Sequence, residues 1–459
     1  MRDLILQLSK SSIYSTKPPG VTVPNAIAGF IEDSKANLTL RNFYINTDNR
    51  SGDGFSKQEE WGQGFILNYD SGYTEGPVGF GLSTLGLLGI RLDGGGKAGS
   101  PASGRQPGTV FPLDNDGRAV HQFGSLGVTG RAKISDTELR YGTLQPKNPV
   151  VIYNDARLLP MTYQGGQISS TDIDDLSLTG GVLTHTKGRN STDMRGMSIA
   201  GANGSGPTSR SSNRFYFAGG DYTLMKDMTL SYYYGELDNF YRQNYIGLAH
   251  NLKIVSGNLK SDIRIFISDA DGKNGSAAGR SAGYVSTGYY GNNRTKGEVD
   301  NNVYSGQLTW SSGGHSVSSG YQWLTGKSDF PYLNRGDGEG TSTWLITDAQ
   351  LLKFSRAGER TWLARYAYNF ADAGLKGLNL SILYLNADNI DTGNGRKGEW
   401  ERDIALSYTI PEGILNGLGI SVKNATMRSA LPDTSRKGSA GQRDQDETRV
   451  TVSYTLPLL

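Results

Sequence analysis

Apolar and polar residues alternate with a period of two along most of this chain, the signature of strands with two unlike faces. In Arg449-Val450-Thr451-Val452-Ser453-Tyr454-Thr455-Leu456, the residues Val450, Val452, Tyr454 and Leu456 share one face. Arg449, Thr451, Ser453 and Thr455 share the other. The same split recurs in Ala36-Asn37-Leu38-Thr39-Leu40-Arg41, in Leu126 to Ile134, in Glu138-Leu139-Arg140-Tyr141 and in Ile263-Arg264-Ile265-Phe266-Ile267. It continues through Trp362-Leu363-Ala364-Arg365-Tyr366-Ala367-Tyr368, Ile404 to Tyr408 and Leu418 to Lys423. Roughly sixteen to eighteen such segments fit, each about 9–11 residues, the length that crosses a bilayer when tilted. A lone Arg or Lys repeatedly sits on the polar face. The alternation places Arg41, Arg131, Lys133, Arg140, Arg264, Arg365, Lys423 and Arg449 there. A soluble sheet hides its apolar face; a membrane barrel turns that face to lipid and the polar one to a lumen.

The connections favour the barrel. Short ones carry Gly, Pro or Asp, as at Asp70-Ser71-Gly72, Lys376-Gly377 and Pro411-Glu412-Gly413. Long ones, over 94–118, 184–213, 269–300, 327–341 and 427–446, are polar and rich in Gly and Ser. Short turns on one rim and long loops on the other fit an outer-membrane barrel, whereas a soluble sandwich has no use for five such loops. One connection differs: Pro146 to Pro160 mixes Val150, Val151, Ile152, Leu158 and Leu159 with Tyr153, Asp155 and Arg157. That composition predicts a loop folded into the barrel and pinned to its wall, narrowing the pore.

Composition sharpens this picture. The chain has 459 residues, of which 36% are hydrophobic, with 63 glycines and 25 tyrosines. Gly is about twice its average usage, which suits a wall one sheet thick that has no buried core to fill. A formal net charge of +2 argues against binding nucleic acid through bulk charge. There is no cysteine, hence no disulfide and no thiolate metal site. The four histidines, His121, His185, His250 and His315, are scattered without metal-ligand spacing, and neither metal nor cofactor is expected. Asp269-Ala270-Asp271-Gly272 begins like a calcium loop but lacks the bidentate Glu, so a polar turn is expected. Arg335-Gly336-Asp337 spells an adhesion tripeptide in a Gly-rich loop and is set aside as chance. No run approaches about 18 apolar residues, so no membrane-crossing helix is predicted. Residues 1–26, with Pro18-Pro19-Gly20 and Pro24, read as a loosely ordered leader whose Leu4-Ile5-Leu6 is too short for the core of an export signal. Residues 27–459 read as the barrel.

A family resemblance runs from about Gly29 to Leu459. Its motifs are Gly29-Phe30-Ile31-Glu32-Asp33-Ser34, Leu40-Arg41-Asn42-Phe43-Tyr44, Trp61-Gly62-Gln63-Gly64-Phe65, Val78-Gly79-Phe80-Gly81 and Arg157-Leu158-Leu159-Pro160. Tyr241-Arg242-Gln243, Gly358-Glu359-Arg360-Thr361-Trp362 and Asp444-Gln445-Asp446-Glu447-Thr448-Arg449 follow in the same order. In these the chain resembles the OprD-type (Occ) substrate-specific outer-membrane channels. The resemblance implies an all-β, eighteen-stranded transmembrane antiparallel barrel with an inward-folded constriction loop, in the outer membrane of a Gram-negative bacterium. It also implies a basic ladder down one pore wall, facing an acidic or tyrosine-lined side. Carried over by position, the loop arginine is Arg157, a neighbouring wall position Arg140, the C-terminal ladder positions Lys423 and Arg449, and an eyelet tyrosine Tyr332. Ser421 stands where the family carries a further ladder arginine, and Asp348 where it carries a constriction serine. Both depart from the basic-amino-acid channels, and the chain is closer to the subgroup passing aromatic acids such as benzoate or vanillate.

The expected function is passive, selective passage of small carboxylates, handed along the guanidinium forks. Arg157 and Arg140 are expected at the narrowest point, with Lys423 and Arg449 in the ladder. Tyr153 and Tyr332 would offer ring faces to an aromatic substrate, Asp348 would repel wrongly oriented anions, and Asp155 is a further pore-lining candidate. The expected partners are those solutes and the surrounding lipid and lipopolysaccharide, with no nucleic acid, and the chain acting as monomer or homotrimer. A general diffusion porin, a channel for basic amino acids, a barrel enzyme and a non-transporting adhesin are the alternatives. The enzyme reading lacks a Gly-x-Ser-x-Gly near a histidine. Lumen arginines can also be spent on wall carboxylates, since Glu138, Asp262 and Asp403 fall on the same face.

Overall fold

A computed structural model of the chain describes residues 25–51, 55–99, 104–202, 209–287, 297–336, 343–392, 395–431 and 444–459. Most of the expected leader, parts of the five long loops and Asp337 lie outside these. A short helix, α1 (Asn25–Glu32), precedes eighteen barrel strands. In chain order these are β1 (Lys35–Asn49), β2 (Lys57–Asp70), β3 (Gly79–Asp93), β4 (Gln122–Ile134), β5 (Thr137–Leu144), β6 (Thr162–Ile173), β7 (Leu176–Lys187), β8 (Phe215–Met225) and β9 (Met228–Leu237). They continue with β10 (Tyr241–Ile254), β11 (Gly257–Ala270), β12 (Asp300–Ser312), β13 (His315–Gly326), β14 (Arg360–Asn369), β15 (Leu378–Asp391), β16 (Arg396–Thr409), β17 (Gly419–Ser429) and β18 (Gln445–Pro457). Every strand pairs antiparallel with its neighbours, and β1 pairs with both β2 and β18, which closes the sheet. Closure leaves no unpaired edge within the bilayer, a requirement where no water can satisfy backbone groups.

The alternation read from the sequence selects the two faces. Leu126, Leu308, Tyr232 and Tyr321 point outward and stay about half or more exposed, Leu126 at 72%. Trp323 with Tyr304 and Trp362 with Tyr384 and Trp400 pair on the outer face towards the long-loop rim. Tyr366 and Tyr368 flank His315 beside the opposite turns. Two aromatic belts bounding an apolar band are what a barrel presents to a bilayer. Two-residue turns at 135–136, 174–175, 226–227, 255–256 and 313–314 mark one rim. The other carries connections over 94–121, 145–161, 188–214, 271–299, 327–359 and 430–444. The loop expected to end near residue 341 therefore runs on to 359.

The expectation of a wall without a buried core fails on the long-loop side. There Phe43, Ile45, Ile66, Leu87 and Phe123 point into the lumen and are almost fully buried. They are covered by Phe111, Leu158 and Leu159 from two connecting loops. A second cluster packs Val150, Val151 and Met161 against Phe215, Phe217, Tyr241 and Phe266 of the wall. A third sets Ile346, Ala349, Leu352 and Phe354 of the 327–359 loop on Leu363, Leu383 and Leu385. Loops that enter the barrel need an apolar wall to lie on, so the polar-in rule holds only where water remains.

Candidate functional site: a constriction lined with charge

The loop over 145–161 folds inward, as its apolar content predicts. Leu158 and Leu159 are 0% and 1% exposed. Its sockets are glycines of the Trp61-Gly62-Gln63-Gly64-Phe65 stretch on β2. A Cβ on Gly62 would lie 2.8 Å from Leu158 Cδ2, and one on Gly64 would lie 3.1 Å from the Leu158 carbonyl. The charged part of the loop is tied by Arg41. Its guanidinium donates to Asp155 Oδ1 at 2.6 Å and Oδ2 at 3.2 Å, and to the Arg157 carbonyl at 2.9 Å.

A second loop, not foreseen as inward-folding, enters from 343–359. Arg264, on β11, forks onto Asp262 at 2.9 and 2.7 Å and also donates to the Trp344 carbonyl. These two loops, with parts of the 94–121 and 188–214 loops, meet the β14–β18 wall around a cavity of about 810 Å³. At the root of this loop Ala357 N–H donates to Asp329 at 2.9 Å and Arg356 N–H to Glu359 at 2.8 Å. Burial raises both carboxyls, Glu359 well above its ordinary value.

Among the described residues, seven basic side chains line the cavity: Arg157, Arg189, Arg335, Lys353, Arg365, Lys423 and Arg449. Three acids share it, Asp348, Asp403 and Glu447. Lys423 and Arg449 stand directly opposite each other on β17 and β18. Arg449 Nε meets Glu447 at 2.6 Å, Lys353 pairs with Asp348, and Asp403 and Asp348 are the charged neighbours of Arg365. Arg157 donates to the Thr109 carbonyl at 2.6 Å, and Arg189 to Asn154 Oδ1 at 3.2 Å.

The fold thus brings Arg157, Arg365, Lys423, Arg449 and Asp348 together and leaves the other expected site residues elsewhere. Arg140 does not reach the cavity: it pairs with Glu138 at 2.7 Å and faces Arg131 across the ladder. β5 starts at a short turn, so position 140 lies about 10 Å up from that rim, while the loops arrive from the other. Arg131 lies over the Tyr73 ring at 4.8 Å and donates to the Ser71 carbonyl, and Lys133 reaches Asp136 at 3.4 Å. Arg41, Asp155 and Arg264 hold loops, as described. Tyr153 sits under Lys147 Nζ at 5.3 Å and Tyr332 packs on Phe330 at 5.2 Å. Neither ring lines the cavity.

Sequence reasoning missed Arg189, Arg335 and Lys353, which lie on loops where no alternation orients them. Arg335 belongs to the tripeptide set aside as chance; it lines the constriction instead. Asp271 of the apparent calcium loop accepts from Asn239 N–H at 3.1 Å, as a polar turn does.

A closed eighteen-stranded barrel, apolar outside and narrowed inside by charged loops, defines an outer-membrane porin. The sequence matches the outer membrane porin, OprD family, over residues 28–458, and the chain belongs to that family. It is 60% identical to Pseudomonas aeruginosa OccK8 (OprE), with a TM-score of 0.85 over 94% of this chain and 100% of that one. It is 34% identical to the porin-like protein GalP of Pseudomonas putida over 433 residues, 94% of each chain. Pseudomonas aeruginosa OpdK, whose structure was solved with vanillate, is 31% identical, with a TM-score of 0.78 over 94% of this chain and 100% of that one. The protein is an OprD-family porin of the Gram-negative outer membrane, not an enzyme.

Proposed function

We propose that this channel passes small carboxylates, aromatic acids foremost. The observation that carries the reading is the lining of the constriction, seven basic residues against three acidic ones. Among the described residues the lining thus carries four more basic than acidic side chains. In a narrow, low-dielectric passage that excess attracts anions and repels cations, and it is least screened where water is scarcest. Guanidinium forks on Arg157, Arg365 and Arg449 suit the planar carboxylate, while release requires that no single contact hold it tightly. A cavity of about 810 Å³ accommodates a one-ring solute. The similarity to OpdK, solved with vanillate, supports an aromatic acid.

The test is single-channel current in a planar bilayer with benzoate, vanillate and arginine added in turn. Small conductance with concentration-dependent block by the two aromatic acids is the expected result. Large conductance indifferent to all three would make this a general porin. Block by arginine alone would shift the reading to basic solutes, with Asp348, Asp403 and Glu447 the acids of the lining.

A further inference from the structure

Two glutamates of the barrel wall do something the alternation does not foresee. Glu60 on β2 and Glu401 on β16 both point into the lumen, and both are 0% exposed. Neither lines the cavity. Glu60 accepts from consecutive backbone N–H groups of the 94–121 loop: Thr109 at 2.6 Å and Val110 at 2.8 Å, with Gly108 at 3.3 Å and Phe111 at 3.4 Å. Glu401 accepts from Leu351 at 2.7 Å and Leu352 at 2.6 Å, while the next lumen-facing acid, Asp403, takes Gln350 N–H at 3.0 Å. A run of backbone N–H groups is a natural anion receptor. Here the acceptor is a carboxyl side chain of the barrel itself. Burying a carboxylate costs several kcal/mol unless hydrogen bonds replace its water, which these amides do.

What each loop segment does next gives the arrangement its meaning. Thr109, held by Glu60, offers its carbonyl to Arg157 at 2.6 Å. Gln350, held by Asp403 beside Glu401, offers its carbonyl to Arg449 at 3.1 Å. Gly108, Thr109, Gln350 and Leu351 all line the constriction. We infer that Glu60 and Glu401 are positioning residues, clamping the backbone of two loops so that these orient Arg157 and Arg449 and set the width of the pore. They act through the loops and touch no solute.

The clamp concerns the aperture, so its test uses KCl current and does not depend on which solute the channel prefers. Single-channel conductance of Glu60→Ala and Glu401→Ala is compared with that of the unaltered protein in 0.1 M and 1 M KCl. Both substitutions are expected to raise conductance about twofold, with added open-channel noise, since a released loop widens the passage. The rise should persist at 1 M salt, where the screening length is only about 3 Å and a purely electrostatic effect fades. Glu→Gln, which keeps one acceptor oxygen, should give an intermediate rise. Unchanged conductance, or a rise present at 0.1 M and gone at 1 M, overturns the inference.

Should an Ala variant fail to form a barrel, single cysteines decide the matter in a chain that has none. Thr109→Cys in a Glu60→Gln background, and Ala349→Cys with Glu401→Gln, should react with a charged methanethiosulfonate several-fold faster than in the wild-type background. Equal rates overturn the clamp. If benzoate fails to block the unaltered channel while the Glu variants still widen it, the carboxylate reading falls and this one stands.

Discussion

Arg157 and Arg449 reach the same cavity by different routes. Arg449 projects from a strand, so alternation along β18 alone places it in the lumen. Arg157 lies on a loop, and its position depends on Arg41 gripping Asp155 and on Leu158 sitting beneath glycines. Arg365 and Lys423 were legible for the same reason as Arg449. Arg189 and Arg335 were not, because a loop residue has no period to orient it. Arg131, Lys133 and Arg140 share the lumen face but stand beside the short turns, because alternation fixes the face and not the height. A charge-assisted hydrogen bond contributes about 1.5–3 kcal/mol, so Arg157→Ala should weaken benzoate block about tenfold or more. Uptake of a neutral sugar through the same variant should change little. Equal loss for both solutes would mean that Arg157 only holds the loop in place.

At the level of the element, the notable fact is that inward-folded loops build the constriction together with the β14–β18 wall. The 145–161 loop betrayed itself through the apolar content of Val150, Val151, Ile152, Leu158 and Leu159. The 343–359 loop did not, although Ile346, Leu352 and Phe354 are as deeply buried. Its apolar residues are interspersed with Thr347, Asp348, Gln350 and Lys353, and without their partners on β14 and β15 nothing distinguishes them from surface loop. The glycines of β2 explain why a loop can lie so close to the wall. A Cβ on Gly62 would sit 2.6 Å from Phe111 Cζ, at the far end of a side chain that can move. Gly62→Val should therefore leave the barrel formed while pushing Phe111 and Leu158 off their seat, at an overpacking cost of about 1–3 kcal/mol. Conductance should increase, with the heat-dependent shift in gel mobility of a folded barrel retained. A variant that keeps both the mobility shift and the original conductance would show that the loop is held without this socket.

Across the whole molecule, the two faces of one strand answer to different solvents. On β12, Gln307 looks into the lumen and Leu308, 55% exposed, looks out. An arginine introduced near the middle of the lipid face costs about 2–4 kcal/mol, less towards the interfaces. Leu308→Arg should accordingly destabilise the barrel by about 2 kcal/mol in urea-driven refolding into vesicles. Gln307→Arg, one residue away, should refold like the unaltered chain and increase the preference for anions in reversal-potential measurements. Equal losses at both positions would contradict the assignment of faces.

The sequence by itself determined the barrel, its number of strands within narrow limits, its inside and its outside. All of these follow from a local period of two and from turn residues, which need no knowledge of distant parts of the chain. Tertiary structure alone decided which loops besides 145–161 complete the constriction and how its charges are paired. Glu60 and the amides of 108–111, Glu401 with Leu351 and Leu352, and Arg264 with Trp344 are contacts between segments about 50 to 80 positions apart. No local pattern encodes such pairs, because each partner is an ordinary residue until the closed wall brings the other within hydrogen-bonding distance.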